Sequence, residues 1–235
     1  MKPVFAFLLA LSAVAAPVMA ATPHRTAPAT QDWTQVVATT PDGGIRMGNP
    51  NAKVKLVEYF SFTCPHCAVF AGEAYGPLTT KYVRSGQVSV ELRSALRDAL
   101  DLVAALGTRC VAPRGYFGAV EDVMAAQNDW ETKAAAWITD HRDELNGDNK
   151  AKAIDKLVDE AGLSAILAQH GVAAAAIDHC MQDKDTQAVL ERTTNDAWNV
   201  RKIAGTPGFF INDAVQTDVF TWATLEPKIQ AALKS

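Results

Sequence analysis

Two cysteines two residues apart, in Cys64-Pro65-His66-Cys67, stand where an apolar extended run ends and a helical pattern begins. The run is Val54-Lys55-Leu56-Val57-Glu58-Tyr59-Phe60-Ser61-Phe62, with Glu58 as almost its only polar interruption, which predicts a strand buried on both faces. A pair with this spacing at a helix start closes a small disulfide ring. It also presents one sulfur to backbone N–H groups that have no helical partner, where a thiolate is stabilised. Cys64, nearer the helix start, is the expected nucleophile. Cys67, one turn deeper, is the expected resolving thiol or leaving group. Pro65 suits the first helical position, where a missing N–H costs little. His66 is expected to donate a hydrogen bond or place positive charge beside the Cys64 sulfur.

The chain's start bears on the compartment. Met1-Lys2 is a short positive opening, Val4 to Ala16 is apolar but too short to span a bilayer, and Val18-Met19-Ala20 has small-x-small character. Residues 1–20 therefore read as a cleaved secretory signal, the alternative being an uncleaved anchor. The mature protein is expected in the periplasm of a double-membraned bacterium, where disulfides persist. About 215 residues remain after processing, enough for one sizeable core or a domain with an insertion. The formal charge is −4, or −5 once Lys2 leaves, with both signs mixed along the chain and no basic stripe, so nucleic acid is not an expected partner.

Periodicity organises the rest. Residues 21–31 are Ala/Thr/Pro-rich and aperiodic, a leader; Trp33 to Thr39 reads as a short edge strand, and Pro41–Gly44 and Gly48–Asn51 carry turn chemistry. Ala68 to Val83 is helical in pattern, with a kink or break expected at Gly72, Gly76 and Pro77, and Val88 to Leu92 alternates as a second strand. Strand, crossover helix and strand make a βαβ unit, the context in which a C-x-x-C becomes a redox candidate. From about Asp98 to Asp183 the texture is Ala- and Leu-rich and helical. Candidate helices are Ala99–Val111, Tyr116–Ala126, Glu131–Asp143, Asn149–Ala161, Ser164–His170 and Ala173–Met181. A long helix is expected from Lys184 to Ile203, then a strand through Phe209–Ile211, a hairpin partner at Val215–Val219 and a closing helix Trp222–Leu233.

The Glu-Tyr-Phe-Ser-Phe-Thr-Cys-Pro-His-Cys segment and, about 140 residues later, Gly-Thr-Pro-Gly-Phe-Phe-Ile-Asn resemble the two signatures of the DsbA-like thiol oxidoreductases. The resemblance implies an α/β thioredoxin fold with an inserted all-helical domain, divided here as a discontinuous thioredoxin-like domain at 21–97 and 184–235 and a helical insertion at 98–183. It implies that Thr206-Pro207 faces the motif with its peptide bond in cis and offers Thr206 backbone groups to an extended substrate. It further implies that Glu58 lies beneath the disulfide and moves the deeper cysteine's proton; otherwise Glu58 is a strand-end carboxylate reaching solvent. Phe62 is a core residue or a lining of the peptide groove.

Cys110 and Cys180 remain, about 70 residues apart within the insertion. An even leftover pair in an oxidising compartment favours a structural disulfide over two free buried thiols or an electron relay. The expected activity is disulfide donation from Cys64–Cys67 to reduced secreted proteins by a monomer. No organic cofactor or metal is needed, and a zinc half-site finds no second C-x-x-C or H-x-x-x-H. By resemblance, a quinone-linked membrane oxidase of the DsbB type reoxidises the pair. The rivals are an isomerase or reductase of the same fold and a peptide-binding chaperone with structural cysteines. Isomerases of this fold carry an N-terminal dimerisation domain, for which the roughly 30 residues before the fold are too few.

Overall fold

The computed structural model describes residues 31–235; the signal-peptide reading at 1–20 and all but the last residue of the 21–31 leader lie outside them. A six-stranded mixed sheet organises these residues, in spatial order β1-β2-β4-β3-β5-β6. The strands are β1 (Val37–Thr39), β2 (Ile45–Gly48), β3 (Val54–Phe60), β4 (Val88–Ser94), β5 (Gly208–Ile211) and β6 (Ala214–Gln216). Central β3 runs parallel to β4, paired from Val54↔Val88 to Phe60↔Ser94, and antiparallel to β5, paired from Leu56↔Ile211 to Tyr59↔Gly208. The parallel step is made by helix α1 (Pro65–Pro77) and the π-helical turn Leu78–Val83. Between β4 and β5 come α2 (Ala99–Arg109), α3 (Tyr116–Ala125), α4 (Gln127–Asp140), α5 (Arg142–Asn146), α6 (Lys150–Glu160), α7 (Leu163–Gln169), α8 (Ile177–Gln182) and α9 (Lys184–Asn195); α10 (Trp222–Lys234) closes the chain. This is a thioredoxin-like fold with a helical insertion.

Alternation along β3 divides the core. Leu56 and Phe60 join Phe70, Ala71 and Ala74 of α1 and Phe209 of β5 in the main cluster. Tyr59 faces the other way, with Ala197, Ile203 and Phe210. The ring centroids of Phe70 and Phe209 lie 4.7 Å apart, so α1 is fastened to the strand that follows the proline loop. Burying such side chains stabilises by about 1.5–3 kcal/mol each.

Several boundaries differ from the sequence reading. Trp33–Gln35 is a 3-10 turn, because the Asp32 carboxylate accepts from Thr34 N–H, so the edge strand shortens to β1. Strand β2 has no counterpart in the sequence pattern; Ile45–Gly48 pairs with β1 and, from Ile45↔Leu92 to Gly48↔Ser89, with β4. Gly48 has φ +111°, and a Cβ there would meet Ser89 Cα and the Val88 oxygen at 3.0 Å. Helix α1 begins at Pro65, the first helical position the sequence offers, and runs unbroken through Gly72 and Gly76 despite the kink or break expected there; its geometry changes only after Pro77. The expected Lys184–Ile203 helix is α9 followed by a π-helical turn, Asp196–Val200. The Glu131–Asp143 helix starts at Gln127 and is followed by a separate α5. The last hairpin strand is Ala214–Gln216, not Val215–Val219.

Candidate active site

Cys64 is the N-cap of α1, with extended φ −99° and ψ 113°, and Pro65 follows at the first helical position. Its carbonyl accepts from Cys67 N–H at 3.0 Å and Ala68 N–H at 3.2 Å. Both motif cysteines are free thiols. Cys64 is 4% exposed and Cys67 fully buried, while Pro65 and His66 face solvent.

Their acidities diverge. Cys64 is lowered to about 5, first by the hydrogen bond from the Cys67 thiol, then by the Thr206 side chain and the N–H groups of Cys67 and His66; burial opposes the shift. Cys67 moves the other way, pushed well up by burial, by its hydrogen bond to Cys64 and by the charges of Cys64 and Glu58. The contribution of His66 is thus its backbone N–H. The imidazole faces solvent and makes no hydrogen bond among the described residues, so the hydrogen-bond form of the expectation for this ring is not met.

Thr206 and Pro207 stand across from the motif because β5 starts at Gly208 and pairs with β3 at Tyr59, beside the strand end that feeds Cys64. The Thr206–Pro207 peptide bond is cis. The Cys64 thiol donates to the Thr206 carbonyl oxygen at 3.1 Å.

Glu58 is 1% exposed on the α1 side of β3, so it does not reach solvent. Burial raises its carboxyl to about 8, the Cys64 charge adds to that, and the Tyr75 hydroxyl, which donates to Oε2 at 3.2 Å, opposes it. The other oxygen, Oε1, is buried without a hydrogen bond among the described residues. A carboxyl in this state holds its proton at neutral pH.

Phe62 is 1% exposed and packs edge-to-face on Phe60 with centroids 5.0 Å apart. It belongs to the core and lines no groove, because its ring turns inward with Phe60 on the approach to the helix. Cys110 and Cys180 form a disulfide with Cα atoms 5.8 Å apart, joining the end of α2 to α8.

Two residues that hold the site escape the sequence reading. Asp101 of α2, fully buried, accepts from Phe62 N–H at 2.8 Å and Arg97 N–H at 3.0 Å. Burial raises its pKa to about 6 against the Ser61 hydroxyl and those two N–H groups. Gln127, the first residue of α4, donates from Nε2 to the Phe62 carbonyl at 2.6 Å and the Cys64 carbonyl at 3.0 Å. Asp98 and Arg97 complete the frame, accepting from the Thr63 hydroxyl and donating to the Thr63 carbonyl, both at 2.7 Å. The helical insertion thereby clamps the backbone that carries Cys64. An aspartate and a glutamine on distant amphipathic helices give no local signal of this. No group of three or more His, Cys, Asp or Glu residues that could hold a metal occurs among the described residues.

Comparison with known proteins agrees with this architecture. The thioredoxin family model matches residues 40–231. A crystal structure of a protein-disulfide isomerase from Novosphingobium aromaticivorans is 31% identical, with TM-score 0.74, covering 83% of this chain and 99% of that one. Alpha-DsbA1 of Wolbachia pipientis, at 22% identity, shares the fold with TM-score 0.63 over 80% of this chain and 90% of that one. A Rickettsia bellii protein described as a candidate protein-disulfide oxidoreductase is 26% identical over 80% of this chain and 64% of its own length. The chain thus spans a little under two thirds of the curated relatives it matches. By the extent of the family match and the fold it shares with DsbA-like structures, the chain belongs to the thioredoxin family.

Proposed function

We propose that the chain is a protein thiol:disulfide oxidoreductase that donates the Cys64–Cys67 disulfide to reduced protein substrates in an oxidising compartment outside the cytoplasm. The observation that carries this reading is the opposed acidity of the two sulfurs, Cys64 lowered to about 5 and Cys67 raised, with the Thr206 carbonyl 3.1 Å from Cys64. In the oxidised protein a substrate thiolate attacks Cys64 Sγ, the Cys64–Cys67 bond breaks, and Cys67 leaves as a thiolate. Glu58, which is electrostatically coupled to Cys67 and whose carboxyl is protonated at neutral pH, supplies the proton that Cys67 takes up. The substrate's second thiolate then attacks the substrate sulfur of the mixed disulfide, and Cys64 departs as a stabilised thiolate. Thr206, beside the cis peptide bond, is the group placed to pair with the substrate backbone next to its cysteine. Cys110–Cys180 serves as a structural brace of the helical insertion, 98–183, on the discontinuous frame 21–97 and 184–235.

Turnover as an oxidase needs an electron acceptor, and a membrane oxidase of the DsbB type fits that need by family resemblance. The isomerase direction is a second reading, favoured by the 31% identity to the Novosphingobium protein-disulfide isomerase. The deciding experiment is oxidation of a reduced two-cysteine peptide by the oxidised protein. Fast stoichiometric oxidation is expected, and it is abolished in both Cys64→Ser and Cys67→Ser, neither of which can form the Cys64–Cys67 disulfide that supplies the oxidising equivalents. An unreactive wild-type disulfide, or full activity in Cys64→Ser, rejects the reading. Faster rearrangement of a scrambled protein than oxidation of a reduced one points to the isomerase.

A further inference from the structure

Away from the cysteine motif, helices α2, α4, α5, α6, α8 and α9 enclose a cleft of about 730 Å³. Its walls are apolar, with Leu102, Leu106, Ile138, Leu145, Ile154 and Leu157 prominent among them. Leu106 and Leu157 are buried, but Leu102, Ile138, Leu145 and Ile154 are only partly covered although they pack on the core. A cleft of this size falls in the range of small-molecule sites, about 300–1,000 Å³, and is small for a protein partner.

The charges in the lining are both positive. Lys150 and Lys184 are exposed, and no carboxylate lines the cleft among the described residues. The chain as a whole carries −4, so this local sign runs against its average. Nearby lysines are neutralised, Lys133 by Asp129 at 2.7 Å and Lys156 by Glu144 at 3.0 Å. Lys150 and Lys184 have no carboxylate within ion-pair distance among the described residues; the Lys184 ammonium donates to the Gln187 side-chain oxygen at 3.1 Å. An apolar interior with two uncompensated ammonium groups matches one chemistry, an acyl chain ending in an anion.

We propose that this cleft is a binding site for a single-chain anionic amphiphile, a long-chain carboxylate, with its tail among Leu102, Leu106, Ile138, Leu145, Ile154 and Leu157 and its head group between Lys150 and Lys184. The proposal does not depend on the thiol chemistry, since none of these residues belongs to the motif or its clamp.

The test is calorimetric titration of the full chain with dodecanoate, decanoate and dodecyltrimethylammonium below their micellar concentrations, at low salt. One dodecanoate per chain is expected, with about fourfold weaker binding for each methylene removed. The trimethylammonium amphiphile should bind at least tenfold more weakly. Lys150→Glu with Lys184→Glu, both solvent-facing, should weaken dodecanoate roughly three- to tenfold at low salt, and that difference should shrink in 1 M salt. Ile154→Trp, which fills the cleft, should abolish binding. Circular dichroism and peptide oxidation should be unchanged in the lysine variant, which separates failure of this site from failure of the redox reading. No binding up to millimolar dodecanoate, equal binding of the two head-group charges, several molecules bound per chain, or a lysine variant that binds like the wild type would each overturn the proposal. So would saturation by an acidic amphipathic helical peptide where dodecanoate fails, which would assign the cleft to a protein partner.

Discussion

At the scale of single residues the site is a contest between burial and hydrogen bonding, and the winner differs for each group. For Cys64 a thiol donor and two helix-start N–H groups outweigh burial; for Glu58 burial outweighs the single Tyr75 hydroxyl. Glu58 moves from 4.5 unfolded to about 8 folded, so between those values the folded chain holds a proton that the unfolded chain has lost. Stability from this group is therefore complete below pH 4.5 and is lost as pH rises through 8. A shift of this size corresponds to a few kcal/mol. Glu58→Gln keeps the shape and removes the titration. In the oxidised form, urea unfolding at pH 5 and pH 9 should show wild-type stability falling by a few kcal/mol more than that of the variant. Asp101, raised to about 6, gives both proteins the same background slope. Parallel pH profiles for the two proteins would mean that Glu58 is already ionised in the fold. Peptide oxidation by the variant should also slow, because Cys67 loses its nearby proton source.

Among the elements, the join between α1 and the insertion carries the most information. The turn Ser61–Cys64, closed by the Cys64 N–H donating to the Ser61 carbonyl at 3.2 Å, has no sheet partner among the described residues, and its polar groups are met by Asp98, Asp101, Arg97 and Gln127. Gln127→Met leaves two buried carbonyls without this donor. It should cost about 1–3 kcal/mol in denaturant unfolding, with the fold retained by circular dichroism. A cost under about half a kcal/mol would mean that the clamp is decorative. A second fastening is the Cys110–Cys180 disulfide, which spans 70 residues. Replacing both cysteines by alanine should cost about 4 kcal/mol on the chain-entropy account, without changing the reactivity of Cys64. Local pattern makes β3, α1, β4 and most insertion helices legible, since each buries a periodic face large enough to show in sequence. Strand β2 is not legible, because four residues, Ile45-Arg46-Met47-Gly48, show too little alternation between two turns. It exists through its pairing with β4. The π-helical turns after α1 and α9 keep a continuous helical pattern, so only tertiary packing reveals them. The cysteines are readable because their chemistry is tied to a fixed spacing, whereas Glu58 and Thr206-Pro207 are readable only through the resemblance to a known family. Asp101 and Gln127 reach the motif across 39 and 65 residues, and nothing near them in sequence announces it.

For the whole molecule, the acidity of one sulfur becomes a difference in stability between redox states. The Cys64 thiol drops from 9.0 to about 5 on folding, so between those values the folded dithiol protein has released a proton that the unfolded one keeps. Its stability therefore rises with pH across that window and is lost as pH falls through 5. Cys67, shifted upward, adds nothing below pH 9. The disulfide form has no such group, so the gap between the reduced and oxidised proteins must widen in favour of the reduced one as pH climbs. At pH 7, two units below the unfolded value, the gain is about 2–3 kcal/mol, which corresponds to roughly 50 mV in the potential of the pair. A disulfide whose reduction relieves the fold in this way is driven to oxidise its substrates. Urea unfolding of both forms at pH 4.5, 6 and 8, together with thiolate absorbance of the reduced form, checks the argument. The gap should open progressively above pH 5, with the absorbance midpoint near 5, while the Glu58 slope, set mainly by burial, appears in both forms and largely cancels in the difference. A gap that stays constant from pH 4.5 to 8, with thiolate appearing only near 9, would show that the helix start does not hold Cys64 as an anion. The pair would then have no thermodynamic bias toward donating its disulfide.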